Sequence, residues 1–209
     1  EVVIIGASTD GDNITYTIQS PKLTENATFE DVSLFVDGNG DNNLAIGQSY
    51  QGGIIAYIFQ SGDTGYVAGE THGLIAATAD QTATLQFNGI QWSDDCCFIV
   101  TGATGTAIGT GLTNTNAIIA AQGEVQTDYA AGLARAYNGG GYNDWFLPSL
   151  DELNKLYLNR VAIGGFTDAL YWSSTEYDNY FGWTQDFGNG VQYYNYKDFT
   201  YFVRAVRAF

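Results

Sequence analysis

His72 is the one histidine of the chain, set between Thr71 and Gly73. Nucleophilic catalysis needs a base held against a Ser or Cys nucleophile and oriented by a third group. No such elbow accompanies His72, which reads as a structural or surface residue. Zinc needs clustered His and Cys ligands. Cys96 and Cys97 are adjacent and have no second pair with which to form such a set. Neighbouring Cα atoms stand about 3.8 Å apart, short of the ~4.4–6.8 Å a disulfide usually spans, so the two read as buried thiols. Gly102-Ala-Thr-Gly105 lacks the lysine of a phosphate cradle. Acidic residues are many, but no spacing singles out an acid–base pair. Together these observations argue against an enzyme. Calcium is the one cofactor with some support: Asp37-Gly-Asn-Gly-Asp41 sets Asp37, Asn39 and Asp41 at alternate positions, like the start of an EF-hand loop. Asn42 stands where that loop needs glycine, and Gln48 where a bidentate Glu should close it. A polar turn is the plainer reading.

The strongest local signal is aromatic. Of the 31 Phe, Trp and Tyr residues, 13 fall between Tyr171 and Phe202, too many for one short core segment. In Tyr193-Tyr194 and Tyr201-Phe202 the neighbours point to opposite faces of an extended chain, so some of these rings must reach the surface. Tyr mixed with Asn, Asp, Ser and Thr is the composition of antibody paratopes, because Tyr joins a large apolar face to a hydroxyl at little rotamer cost. An aromatic β core or a subunit interface is the competing reading.

The elements that must position these residues are legible in outline. Glu1–Ile5, Ile14–Ile18 and Val32–Val36 are β-prone runs separated by Asp/Gly/Asn turns. They read as a β appendage, or the end of a preceding domain, over residues 1–46. Residues 47–209 read as one continuous domain. Gly53–Phe59 and Gly73–Ala77 read as buried strands. Thr101–Gly111 reads as a Gly/Thr loop. Thr127–Tyr137 reads as a helix that buries Tyr129, Ala130, Leu133, Ala134 and Tyr137. A second helix starts after Pro148 with Ser149 and Glu152 as a capping box, Leu153, Leu156 and Tyr157 as its apolar stripe, and Gly164-Gly165 as its end. Tyr201–Phe209 alternates well enough for a terminal strand.

Composition narrows the partners. The net charge is −16 with seven Lys and Arg, which cannot supply the cationic stripe that nucleic acid requires or bind an anionic membrane surface. No apolar run approaches the ~20 residues of a membrane span. A 45% hydrophobic share is enough for a core, while 26 Gly against 2 Pro favours a loop-rich, strand-containing fold. An extracellular, cell-surface or virion setting fits best. The chain has no Met, so Glu1 reads as a processing point or as the start of an excerpt.

Five stretches occur in a familiar order: Gly47-Gln-Ser-Tyr-Gln-Gly-Gly-Ile-Ile, Gly105-Thr-Ala-Ile-Gly-Thr-Gly-Leu-Thr-Asn-Thr, Gly140-Gly-Tyr-Asn-Asp-Trp-Phe-Leu-Pro-Ser-Leu-Asp-Glu-Leu, Tyr171-Trp-Ser-Ser-Thr-Glu176 and Val203-Arg-Ala-Val-Arg207. Together they resemble the DUF1566 family, which includes the C-terminal domain of the Legionella collagen-like adhesin, over Ile46 to Phe209. The resemblance implies an α+β, C-type-lectin-like domain with two helices and short antiparallel strands, distantly akin to formylglycine-generating enzymes, and an adhesive role. The Glu-Pro-Asn and Gln-Pro-Asp motifs of sugar-binding C-type lectins are missing, and Asn143-Asp144 precedes a helix, so calcium-dependent sugar binding does not carry over. Some members of the family are variable proteins of diversity-generating retroelements, in which template adenines are randomised. The segment Tyr193–Phe202 occupies the corresponding slot, between the Trp172–Glu176 and Val203–Arg207 motifs. Apart from Lys197, each of its residues can be reached from an AAY codon by changing adenines alone.

The resemblance implies a ligand-binding face in two parts. Tyr177, Asp178, Asn179, Tyr180, Phe181 and Trp183 form one. Gln192, Tyr193, Tyr194, Asn195, Tyr196, Asp198, Phe199, Thr200, Tyr201 and Phe202 form the other. Trp145, Trp172, Glu176, Arg204 and Arg207 become scaffold, with Glu176 expected to pair with one of the two arginines because a buried charge needs a partner. The expected function is receptor binding or adhesion, from a phage tail fibre, pilus tip or cell envelope, towards a protein or glycan on another cell or virion. The alternative is an undiversified adhesin or filament subunit, a homo-oligomer whose aromatics pack at a subunit interface.

Overall fold

The computed structural model describes residues 3–10, 13–19, 44–81, 89–93, 99–123 and 127–209. Asp37, Asn39, Asp41, Cys96, Cys97 and the run Val32–Val36 lie outside the described residues. The chain divides into two compact units, Glu1–Asn43 and Leu44–Phe209. In the first, β1 (Val3–Asp10) and β2 (Asn13–Gln19) pair antiparallel, from Val3 opposite Gln19 to Asp10 opposite Asn13.

The second unit is a mixed α+β domain of four helices and several short antiparallel sheets. Its order is β3 (Ser49–Tyr50), β4 (Gly53–Ile58), β5 (Gly73–Ala76), β6 (Ile90–Gln91), α1 (Gly111–Gln122), α2 (Ala130–Ala136), α3 (Leu150–Leu158), α4 (Arg160–Ile163), β7 (Leu170–Glu176), β8 (Phe181–Asp186), β9 (Gln192–Tyr196), β10 (Thr200–Tyr201) and β11 (Val206–Ala208). A four-stranded sheet runs β11-β5-β4-β3, so the last strand of the chain pairs beside one of the first strands of the unit. Strand β5 is buried throughout. Leu74 and Ala76 join one apolar cluster with Ala56, Phe146, Leu153 and Leu156. Ile75 joins another with Trp92, Ile118, Leu133, Trp145 and Trp172. Burial on both faces is why β4 and β5 read as continuous apolar runs and not as alternating ones.

Three sequence expectations are refined. The helix expected over Thr127–Tyr137 is α2, which buries Tyr129, Ala130, Leu133 and Ala134. The helix after Pro148 is α3, with Ser149 and Glu152 forming the capping box. It stops at Leu158, however, and Gly164 closes the separate α4. The expected terminal strand Tyr201–Phe209 is two short strands, β10 on β6 and β11 on β5, with Val203–Ala205 buried between them. Unbroken burial over Val203–Arg207, including two arginines, is incompatible with one alternating strand.

Helix α1 was not expected. Its Thr113-Asn-Thr-Asn116 run is poor in helix formers, and the face it buries joins polar Asn114 and Thr115 to Ile118. Asn114 Nδ2 donates to the Gly105 carbonyl at 2.6 Å, while Thr115 Oγ1 donates to the Leu147 carbonyl and accepts from its N–H.

Candidate ligand-binding face

The Tyr-rich residues are carried by the antiparallel sheet β7-β8-β9. Its inner end is held by two tryptophans whose indole N–H groups reach across to neighbouring backbone. Trp172 donates to the Ile90 carbonyl and Trp92 to the Ser173 carbonyl, both at 2.8 Å. Gly182 of β8 lies against the Trp92 ring, where a Cβ would stand 3.0 Å from it. The β7–β8 turn is shaped by Asp178, whose Oδ1 accepts from the N–H groups of Tyr180 and Phe181 at 2.7 and 2.9 Å.

Cross-strand partners share a face. Phe181 stands opposite Tyr196 and Trp183 opposite Tyr194, which gathers the rings on the outer face of the hairpin. Tyr194 stacks on Tyr177 with centroids 4.5 Å apart and planes 9° from parallel. Trp183 meets both edge-on, at 5.9 and 5.5 Å. Phe181 touches Tyr177, Tyr180, Tyr194 and Tyr196. Phe199 extends the series beyond Tyr196. Tyr177 and Tyr194 keep about half their surface in water, at 50% and 52%, and Tyr180, Tyr196 and Phe199 are also exposed. Phe181 and Trp183 are half-buried beneath them. Such pairs contribute about 0.5–1.5 kcal/mol beyond area burial, so the rings order one another while presenting an apolar surface.

The other residues of the expected face are placed differently. Tyr193 and Asn195 lie on the opposite side of β9 with Thr184 and Gly182. Tyr193 is exposed there. Asn195 donates to Thr184 Oγ1 at 2.8 Å and accepts from the Tyr201 hydroxyl at 3.2 Å. Gln192 is half-buried and donates to Gln185 Oε1 and towards the Leu150 carbonyl. Thr200 is exposed beside Gln91 on β6. Tyr201 packs edge-on against buried Trp172 at 4.9 Å. Phe202 packs on Tyr171 in the second core cluster. Asn179 and Asp198 are half-buried in the turns, and Asp198 Oδ1 is buried without a hydrogen-bond partner among the described residues.

The expected pairing of Glu176 with an arginine is corrected. Glu176 is paired with Lys197, Nζ to Oε1 at 2.6 Å, and both side chains are buried. Arg204 is paired with Asp80 and Arg207 with Asp144. The arginines project to other sides of the unit: Arg204 also donates to the Gly164 and Gly165 carbonyls, and Arg207 to Gln51. Lys197 alone comes down onto Glu176 from the β9–β10 turn. Its Nζ also donates to the Ile99 carbonyl at 2.9 Å and sits 4.6 Å from the Trp92 ring centroid. The carboxylate of Glu176 takes the N–H groups of Thr101 and Gly102 at 3.0–3.1 Å. Desolvation lowers the Lys197 pKa, and the Glu176 hydrogen bond opposes that shift. Lys197 therefore holds the turn between Tyr196 and Phe199 against the loop at residues 99–102. Its exception to the adenine rule was visible in the sequence, but its role was not.

Among the described residues no group of three or more His, Cys, Asp or Glu is placed to hold a metal ion, and no helix is long and apolar enough to cross a membrane. His72 is bonded at both ring nitrogens. Its Nε2 bonds Glu70 at 2.8 Å and its Nδ1 the carbonyl of Phe209 at 3.1 Å.

Fold and face together describe an α+β domain that displays a stacked aromatic surface on a buttressed hairpin. The chain belongs to the Lcl C-terminal domain family, whose model matches residues 81–207. Four of the five sequence stretches lie inside that span, and Gly47–Ile55 precedes it. Comparison with curated proteins gives no match.

Proposed function

We propose that the second unit is a non-catalytic, surface-displayed binding domain of adhesin type, with the outer face of β8–β9 as its contact surface. The observation that carries this reading is the exposed stack of Tyr177 on Tyr194, joined by Trp183, Phe181 and Tyr196. Contiguous apolar surface of this kind mostly marks an interaction site, and aromatic side chains dominate binding energy at such sites. Family membership supports the adhesin-like role. Pairing of the last strand, β11, with β5 in the sheet that also holds β4 and β3 brings both ends of the unit into one sheet and supports a C-type-lectin-like arrangement. The ligand is a protein or glycan on another cell or virion.

Diversification of this surface by a retroelement is part of the same proposal. Within Tyr193–Phe202, the residue that adenine changes in an AAY codon cannot supply, Lys197, is also the one that is fully buried and ion-paired. A segment rewritten at exposed positions needs one fixed anchor of this sort. The genomic test is direct: a reverse-transcriptase gene and a near-copy of the segment coding for residues 171–209 beside this gene. Absence of both removes the diversification claim and leaves the binding claim standing.

Binding is tested by a screen of envelope proteins and glycans with the full chain, using Tyr194→Ala/Tyr196→Ala as the control. Ligands retained by the wild type and lost by the variant support the reading. Retention by both overturns it. Concentration-dependent self-association that the double variant abolishes would instead make the face a homo-oligomer interface.

A further inference from the structure

We infer that the partner of the aromatic face is a protein surface presenting arginine and lysine side chains; this rests on the binding role proposed above. The case starts from how the chain uses its own cations. Six of them lie among the described residues: Arg135, Lys155, Arg160, Lys197, Arg204 and Arg207. Five sit over an aromatic ring at 3.9–4.6 Å from its centroid: Lys155 on Tyr57, Arg160 on Tyr157, Lys197 on Trp92, Arg204 on Phe166 and Arg207 on Tyr142. The sixth, Arg135, is held by the Trp145 carbonyl and Asn116. None of the five cation–ring pairs involves Tyr177, Phe181, Trp183, Tyr194, Tyr196 or Phe199. The rings of the outer face are therefore exposed aromatic surface that carries none of the described cations.

Among the described residues, the charge that the ring-bearing turns leave unpaired is negative. Asp178 and Asp198 lie in the two turns that carry the rings, and the whole chain bears −16. The lysine beside Asp198 in the second turn, Lys197, is buried and neutralised by Glu176. A ring quadrupole attracts a cation over its face, and a surrounding negative field steers cationic partners in while repelling anionic ones. Sulfated glycans and nucleic acid are disfavoured on that ground. A neutral glycan is read by directional hydrogen bonds; beside the rings Asp178 Oδ1 is engaged by two backbone N–H groups and Gln192 by Gln185, while Asp198 Oδ1 has no partner among the described residues but is buried. A guanidinium or ammonium group over a ring needs none of them. Arginine suits the site best because its planar head also stacks.

The test uses the full chain at physiological ionic strength and four fluorescein-labelled probes followed by anisotropy: octa-arginine, octa-lysine, octa-glutamate and heparin. Octa-arginine is expected to bind, octa-lysine more weakly, and octa-glutamate and heparin not at all. The Tyr177→Ala/Tyr194→Ala variant keeps the net charge and, because both rings are exposed, the fold. Loss of two stacking rings is expected to weaken octa-arginine by roughly tenfold or more. Equal binding by wild type and variant would mean attraction by bulk charge alone, and would overturn the inference. So would failure of octa-arginine to bind. If the envelope screen meanwhile returned a neutral glycan or an acidic protein whose binding Tyr194→Ala/Tyr196→Ala abolishes, the binding role would stand and the cationic class of partner would fall.

Discussion

At the scale of the residue, the Glu176–Lys197 pair matters most, because both charges are buried and each is the other's neutralising partner. Removing one member of such a pair leaves an uncompensated charge in a low-dielectric site, at a cost of about 3–5 kcal/mol. Lys197→Met is expected to destabilise the second unit by that order in urea denaturation. Glu176→Gln/Lys197→Met is expected to cost less than the sum of its single changes, since it removes both charges together. Additive costs would show that the two side chains act independently. A second residue-scale prediction concerns His72. Its two ring nitrogens face two acceptors, Glu70 and the Phe209 carbonyl, so both bonds form only when the ring is doubly protonated. The Glu70 hydrogen bond, followed by that to Phe209, raises its pKa above the ordinary value. The stabilisation is thus fully present below the unfolded histidine pKa and is lost as pH rises through the higher folded value. An NMR titration of the single histidine should give a midpoint above that of a model peptide, moving down in Glu70→Gln. An unchanged midpoint in that variant would remove Glu70 as the cause.

At the scale of the element, the cap of α3 shows how much of the fold can be read from sequence. Ser149 and Glu152 announced the cap, and α3 starts where they place it. What the spacing did not reveal is that Glu152 is fully buried and that its second oxygen accepts from the N–H of Gly109 at 2.8 Å. A local capping signal thereby fastens a distant loop. Desolvation raises its pKa to about 7, against the opposing pull of the backbone N–H groups. The folded state thus holds this proton more tightly than the unfolded chain does. Stability falls as pH rises from the ordinary carboxylate range to about 7. In Glu152→Gln that slope should vanish from the denaturation profile, with a cost of about 1–3 kcal/mol, because the amide NH₂ would face a backbone N–H donor. Helix α1 and the split C-terminal tail were illegible for a related reason. Helix α1 buries Asn114 and Thr115, and the tail buries Arg204 and Arg207; hydropathy patterns reveal no polar face that is buried through hydrogen bonds. The aromatic segment was legible as a surface, yet its division was not. Which side of β9 each ring takes is fixed by the register of β8 with β9, and a one-residue slip would exchange Tyr194 for Tyr193 on the outer face.

At the scale of the whole molecule, the domain separates what it displays from what holds it. The outer rings of Tyr177, Tyr194, Tyr196 and Phe199 are each about half exposed, and they pack on one another and on the half-buried rings of Phe181, Trp183 and Tyr201. Beneath them the sheet is tied to the core by the indole bonds of Trp92 and Trp172 and by Lys197, none of which touches the outer surface. Surface changes away from such ties typically shift stability by no more than ~0.5 kcal/mol each. Counted as four such surface changes, the fourfold variant Tyr177→Ser/Tyr194→Ser/Tyr196→Ser/Phe199→Ser is expected to lose roughly 2 kcal/mol in all; because the rings touch, coupling between them would show as a loss above that sum. The sum is less than the cost of the single Lys197→Met change, although the fourfold variant removes far more apolar surface. Urea denaturation of the two variants in parallel makes the comparison. A larger loss in the fourfold variant would mean that the exposed rings are part of what holds the hairpin together. A domain built that way could not exchange its contact residues without unfolding, so the same result would count against a diversified face.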